Sequence, residues 1–185
     1  MNKLNTDLNY CSFKSLIGDI YYIWSVPDND TEIKNLTADY IPLISYMGLG
    51  QSAFNSYLDN IAKIFYRTEP VIIEKRNKYI EDEINNFLEK KSKEISLVPD
   101  FLTGTNFEKM VWLELIKIPY GKTASYKEIA ELAGKPSAFR AAGNAIGKNP
   151  LLLLVPCHRV IKSSGQMGNF SSGVKVKKLL LDLES

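Results

Sequence analysis

Hydrophobic residues first gather in Tyr10–Ser15 and Asp19–Val26, stretches rich in aromatic and β-branched side chains on either side of Gly18, and predict a β-hairpin. Pro27-Asp28-Asn29-Asp30 is turn chemistry, and a third short strand is expected near Glu32–Leu36. The period then changes. Phe54, Tyr57, Leu58, Ile61, Ile64 and Phe65 recur at helical spacing within Gln51–Tyr66, as do Ile80, Ile84, Phe87 and Leu88 within Lys78–Ser92. Glu94–Gly104, holding Pro99 and Gly104, reads as a connector, which predicts one domain over 1–98 and a second over 103–185.

The second zone is mainly helical. Thr105-Asn106-Phe107-Glu108 is a capping box and predicts a helix to about Lys117, which Pro119-Tyr120-Gly121 stops. Ser125-Tyr126-Lys127-Glu128 is another, for a helix to about Ala133. Gly134-Lys135-Pro136 breaks the chain, Pro136 suiting the first turn of the next helix, Ser137–Gly147. Helix, short glycine-containing turn, helix is the helix-turn-helix pattern. Leu151–Val155 reads as a strand, Ser163–Gly173 as a Gly/Ser/Asn loop, and Val174–Leu183 as a final helix.

Composition adds that the chain can bury a core: 45% of its 185 residues are apolar and 11% aromatic. No apolar run approaches the ~20 residues of a membrane helix, and Met1–Tyr10 lacks the apolar core of a signal peptide. A soluble, cytoplasmic protein without a membrane partner is the expectation. Charge divides unevenly: Thr103–Ser185 carries net +6 and Met1–Leu102 net −4. A basic second half fits a polyanion such as nucleic acid as well as it fits an ordinary lysine-rich surface.

Candidate chemistry concentrates in Pro156-Cys157-His158-Arg159, where the only histidine follows one of two cysteines. An ordinary thiol is only a few per cent thiolate at neutral pH, so full ionisation is worth roughly 30-fold in reactive species, about 2 kcal/mol. A working site therefore needs a shaped pocket as well as an activated sulfur. Neighbours in extended chain face opposite ways, so His158 acts on the thiol more easily through a water or a bend than directly. The alternative is a buried structural cysteine beside a core histidine. Two cysteines and one histidine are too few for a Cys/His zinc site without carboxylates, and a reducing compartment favours free thiols over a Cys11–Cys157 pair. Ser137–Gly147 is unusual in another way: Ala138, Ala141, Ala142, Gly143, Ala145 and Gly147 surround a single arginine, Arg140. A major-groove reader would present more polar side chains.

Over Gly104–Glu184 these residues resemble the O6-alkylguanine-DNA alkyltransferases. The matching pieces run in order: Gly104-Thr105, Val111-Trp112, Ile118-Pro119 and Ser125-Tyr126, then Gly134-Lys135-Pro136, Arg140-Ala141 and Gly143-Asn144-Ala145. Asn149-Pro150, Val155-Pro156-Cys157-His158-Arg159-Val160, Ser164-Gly165, Gly168-Asn169, Gly173 and Glu184 complete the set. The resemblance implies an α+β protein: an RNase H-like α/β domain with a small antiparallel sheet, then a mainly helical, winged-helix-like domain holding the helix-turn-helix and the active-site cysteine. It implies a monomer that needs no cofactor or metal. Such a protein binds double-stranded DNA through the minor groove, flips O6-alkylguanine out of the duplex, and moves the alkyl group irreversibly to its own cysteine.

Residue by residue, the resemblance implies that Cys157 is the acceptor, and that His158 acts through a water as its base, oriented by Glu184. Tyr126 assists rotation of the base and donates a proton to the departing guanine, while Asn149 braces the active-site turn. Arg140 fills the space the base vacates, with Ser137, Ala138, Ala141, Gly143 and Asn144 beside it on the DNA. Val160, Met167, Gly168, Asn169, Phe170 and Ser171 form the guanine pocket. Three positions depart from the family pattern: Phe170 stands where tyrosine is usual, Leu152 where proline is frequent, and Phe139 where a small residue is usual. A non-catalytic damage-binding relative is the alternative, though such proteins lack the acceptor cysteine.

Overall fold

A computed structural model of the chain describes residues 7–26, 41–65 and 71–185, and it divides into two compact units, Met1–Thr103 and Gly104–Ser185. The expected hairpin forms from β1 (Asp7–Ser15) and β2 (Gly18–Ser25), paired antiparallel from Asn9↔Trp24 to Ser15↔Gly18. With β3 (Leu43–Leu49), β4 (Val71–Glu74) and β5 (Val98–Pro99) they make a five-stranded sheet in the order β4-β1-β2-β3-β5. This sheet is mixed, which corrects the small antiparallel sheet expected from the sequence: β4 joins β1, and β5 joins β3, in parallel. Parallel neighbours need a crossover between them, and helices supply it here. The segment read as a connector thus contributes a strand. The turn at Pro27–Asp30 and the strand expected near Glu32–Leu36 lie outside the described residues.

Strand β3 had no sequence reading because it does not alternate. Ile44 to Gly48 are all buried, as in a strand covered on both faces. Neighbouring β2 shows why. Ile23 packs with Leu8 and Tyr46 against Phe54, Tyr57 and Ile61 of α1 (Gln51–Ile64). Tyr22 points the opposite way, to α2 (Lys78–Leu88), its hydroxyl accepting from Asn77 N at 2.9 Å and donating to Glu81 at 3.3 Å. Helix α2 stops at Leu88 rather than Ser92, because Lys90 turns left-handed (φ 60°) and the N–H groups of Lys91 and Ser92 fold back to Asn86 O.

In the second unit α3 (Asn106–Ile116) and α4 (Tyr126–Leu132) begin at the two expected capping boxes, with both reciprocal bonds present at Thr105/Glu108 and Ser125/Glu128. Short β6 (Ala124–Ser125) precedes α4. Helix α5 spans Phe139–Gly147. Trp112 Nε1 donates to Ala145 O at 2.8 Å, and buried Ala142 and Ala145 let α3 and α4 approach α5 closely. Two expectations change here. Helix α5 starts at Phe139, not Ser137: the Ala138 N–H is used by a turn to Lys135 O, so Ser137 and Ala138 precede the helix.

Leu151–Val155 is a coil of tight turns, not a strand, with Leu153 at φ 72° and Val155 N donating to Leu151 O at 2.9 Å. An apolar run buried on every side carries no period that separates strand from turn. A 3-10 turn, Cys157–Arg159, leads into β7 (Val160–Ile161), which pairs in parallel with β6, and α6 covers Val174–Leu183 as expected. Among the described residues no helix is long and apolar enough to cross a membrane.

Candidate active site

Asn149, just past α5, holds together the turn that carries the cysteine. Its Oδ1 accepts from Leu151 N at 2.9 Å, and its Nδ2 donates to Val155 O at 2.8 Å and to Cys157 Sγ at 3.1 Å. These bonds satisfy backbone groups that a partner strand would otherwise take, which is why Leu151–Val155 can turn while buried. Cys157 is only 3% exposed.

His158 and Arg159, next in the 3-10 turn, both reach Glu184 at the end of α6. His158 Nε2 lies 2.8 Å from Oε1, while Arg159 donates through Nε to Oε2 at 2.8 Å and through its terminal nitrogen to Oε1 at 2.9 Å. Arg159 also donates to Ile118 O at 2.6 Å, and Gly121 N to Glu184 Oε2 at 3.1 Å. A charge-assisted fork of this kind is among the stronger hydrogen bonds in proteins. It is also fully paired, as a buried carboxylate must be. Burial opposes ionisation of Glu184, yet the His158 and Arg159 bonds outweigh it and hold the carboxyl at about 2.

The ionised carboxylate places the proton of neutral His158 on Nε2. Nδ1 is buried without a protein hydrogen-bond partner, so its lone pair remains available. Burial pushes the His158 pKa down, against the pull of Glu184, and pushes the Cys157 thiol up, against Asn149 and the charge of Lys177. The resting pair is thus a neutral thiol and a neutral imidazole, and a proton has to leave the sulfur when it reacts.

Tyr126 enters through the β6–β7 pairing, which sets the start of α4 beside the chain leaving Cys157. Its phenol pKa is raised, first by burial and then by the charge Cys157 carries when ionised. Gly168, at φ 70°, packs close to that phenol; a Cβ there would come within 2.8 Å of the Tyr126 oxygen. Only glycine accepts both the left-handed backbone and the close approach.

A cleft of about 780 Å³ opens between α4, α5 and the 168–171 loop. Tyr126, Arg140, Gly143, Asn144, Gly168, Asn169, Phe170 and Ser171 are among the residues that line it. Cys157, Val160, Met167, Ser137, Ala138 and Ala141 are not among its lining residues, nor is Leu152, which is buried in the turn. Val160 instead packs fully buried, its carbonyl accepting from Lys177.

Sequence reading gave no role to Arg159 or Lys177. Lys177 is 1% exposed, with its ammonium 5.8 Å from the Phe170 ring centroid. Burial lowers its pKa to about 8, against the pull of Cys157 when the thiol is ionised. The available signal was a lysine on the same α6 face as Leu180 and Glu184, where the helical period calls for an apolar residue.

Similarity to known proteins agrees with this geometry. Residues 106–185 match the family model described as 6-O-methylguanine DNA methyltransferase, DNA binding domain. An inducible methylated-DNA–protein-cysteine methyltransferase of Bacillus subtilis is 50% identical over 102 residues, 55% of this chain and 56% of the relative. One from Methanosarcina mazei is 41% identical over 114 residues, 58% of this chain and 70% of the relative. The chain thus spans little more than half the length of the first of these relatives. Among solved structures, that of Mycobacterium tuberculosis OGT in complex with DNA superposes with a TM-score of 0.71 at 28% identity, covering 95% of this chain and 92% of that one. A methyltransferase from Pyrococcus kodakaraensis, at 21% identity and TM-score 0.63, shares the fold. With the Pro-Cys-His-Arg turn, its Glu184 partner and the capped helix pair all in the matched region, the chain belongs to the methylated-DNA–protein-cysteine methyltransferase family.

Proposed function

We propose that this protein repairs DNA by moving the alkyl group of O6-alkylguanine onto Cys157 in a single, irreversible turnover. The observation that carries this reading is the Cys157 turn itself: a buried sulfur held by Asn149, followed directly by a histidine whose outer nitrogen is fixed by Glu184. The base is extruded from the duplex, since its O6 is otherwise out of reach. His158 Nδ1 accepts the thiol proton through a water. The sulfur attacks the alkyl carbon, the S–C bond forms and the C–O6 bond breaks. Tyr126 gives the leaving guanine a proton, balancing the one the thiol lost. The product thioether has no easy hydrolysis, so each molecule acts once. In this reading Val160, Met167 and Ser171 complete the guanine pocket, and Ser137, Ala138, Ala141, Gly143 and Asn144 lie along the minor groove. The protein acts as a monomer at the DNA, without cofactor or metal. The first unit is RNase H-like and the second winged-helix-like.

The test is mass spectrometry after incubation with duplex O6-methylguanine. The peptide containing Cys157 is expected to gain one methyl group per protein molecule and no more with excess lesion; an unmodified peptide sinks the proposal. Extrusion costs a few kcal/mol, and Arg140, on the cleft, offsets part of it by filling the stack. Arg140→Ala is therefore expected to slow transfer from duplex by about 10- to 100-fold more than transfer from the free modified base. Rapid-quench assays on the two substrates measure this, and equal slowing would remove the stack-filling role.

A further inference from the structure

Around the start of α5 the side chains are mostly small, Ala138, Ala141 and Gly143 among them, and of these Gly143 lines the cleft. One large apolar group interrupts them. Phe139, the first residue of the helix, is 48% exposed and lines the same cleft as Arg140 and Tyr126. The Arg140 guanidinium stands 5.8 Å from the Phe139 ring centroid. A single exposed apolar residue is ordinary on a protein surface. This one differs in place: it sits on the lip of the cleft, in the first helical turn, beside the arginine assigned to the base stack.

We propose that Phe139 is a second wedge, its ring entering the duplex from the minor groove at the base step next to the extruded nucleotide and stacking there while Arg140 fills the vacated position. Apolar side chains inserted this way partly unstack a base step and bend the duplex. Aromatic stacking on bases is tolerant of sequence because every base has a π-face, which suits a protein whose target is a lesion in any context. The ring has two faces. Arg140 stands over the ring, and the ring is 48% exposed, so it has open surface to offer a base. The inference rests on the alkyl-transfer reading for its substrate but not for its readout.

The experiment places 2-aminopurine beside O6-methylguanine in a duplex, where its fluorescence rises on unstacking, and follows transfer on duplex and single strand in parallel. Wild-type protein is expected to brighten the probe. Phe139→Ala is expected to lose most of that signal and to lower the duplex-to-single-strand ratio of transfer rates by about tenfold. Phe139→Leu, which keeps an apolar wedge but offers the guanidinium no ring, is expected to retain the signal. Absence of brightening with wild type, or a wild-type signal from Phe139→Ala, overturns the wedge. So does a Phe139→Leu variant that behaves like Phe139→Ala, since the ring would then act only by holding Arg140. Brightening without alkylated Cys157 would instead overturn the transfer reading, with the Phe139 comparison still decided by fluorescence.

Discussion

Cys157→Ala is expected to bind alkylated duplex DNA and leave the alkyl group where it is. Transfer requires a soft nucleophile that keeps the carbon, and the other cysteine, Cys11, stands on β1 of the first unit. The substitution removes one sulfur from a turn whose remaining bonds, Asn149 to Leu151 N and Val155 O, persist. The lost hydrogen bond costs on the order of 1 kcal/mol, too little to unfold the site. Label transfer from radioactive methylguanine duplex, beside a gel-shift titration, separates the two properties. Label on the variant would move the acceptor elsewhere.

The same site sets the pH dependence of the wild type. His158 must be neutral to take the thiol proton, and burial keeps its pKa below the ordinary imidazole value. Transfer is therefore expected to hold through neutrality and to fall only on the acid side of about 6.5. A decline beginning above that value would contradict the assignment of His158 as base.

Glu184→Gln is expected to carry the largest stability loss in the second unit. The change keeps the shape but removes the negative charge that faces Arg159 and His158. Removing one partner of a buried ion pair costs about 3–5 kcal/mol, because the other charge remains buried and uncompensated. That is a large share of the 5–15 kcal/mol by which domains are typically stable. Urea unfolding of the two proteins at neutral pH measures it, and a difference well under 1 kcal/mol would mean that Arg159 finds other partners.

The pH dependence of that loss has a definite sign. The Glu184 carboxyl is held at about 2 in the folded chain, below its ordinary 4.5, so its contribution is complete above the ordinary value and fades as pH falls toward 2. The depressed His158 pKa works in the same direction over a higher range, weakening the fold as pH falls below the ordinary imidazole value. The Gln variant should lose the Glu184 part of this acid sensitivity. It should also transfer more slowly than its stability explains, since an amide can donate to Nε2 and put the histidine proton on the wrong nitrogen.

How much of the site was legible depended on the reach of each interaction. Cys157, His158 and Glu184 stood out through their order in the chain and the resemblance it carried, and the structure brings the last two together at 2.8 Å. Arg159 was visible in the motif, but its fork on Glu184 was not, because nothing local tells an arginine which carboxylate it will meet. Lys177 had no role in the sequence, yet it is buried, its ammonium donating to Val160 O and lying near Phe170. Met167 and Val160 were expected in the pocket through the resemblance, while Lys162 and Gly168 line the cleft in their place.

By itself the sequence determined the features whose partners lie within a turn or so of chain. Both capping boxes, the hairpin around Gly18, the buried face of α2, that of α1 apart from exposed Ile64, and the limits of α6 follow from short-range hydrogen bonds and hydrophobic period. Tertiary structure decided what depends on distant partners. The edges of the sheet are parallel because helices carry the chain across it. Leu151–Val155 turns instead of extending because Asn149 satisfies its backbone. The cysteine and the histidine rest neutral because burial outweighs the charges around them. Desolvation depends on everything that packs around a group, and no stretch of neighbouring residues encodes it.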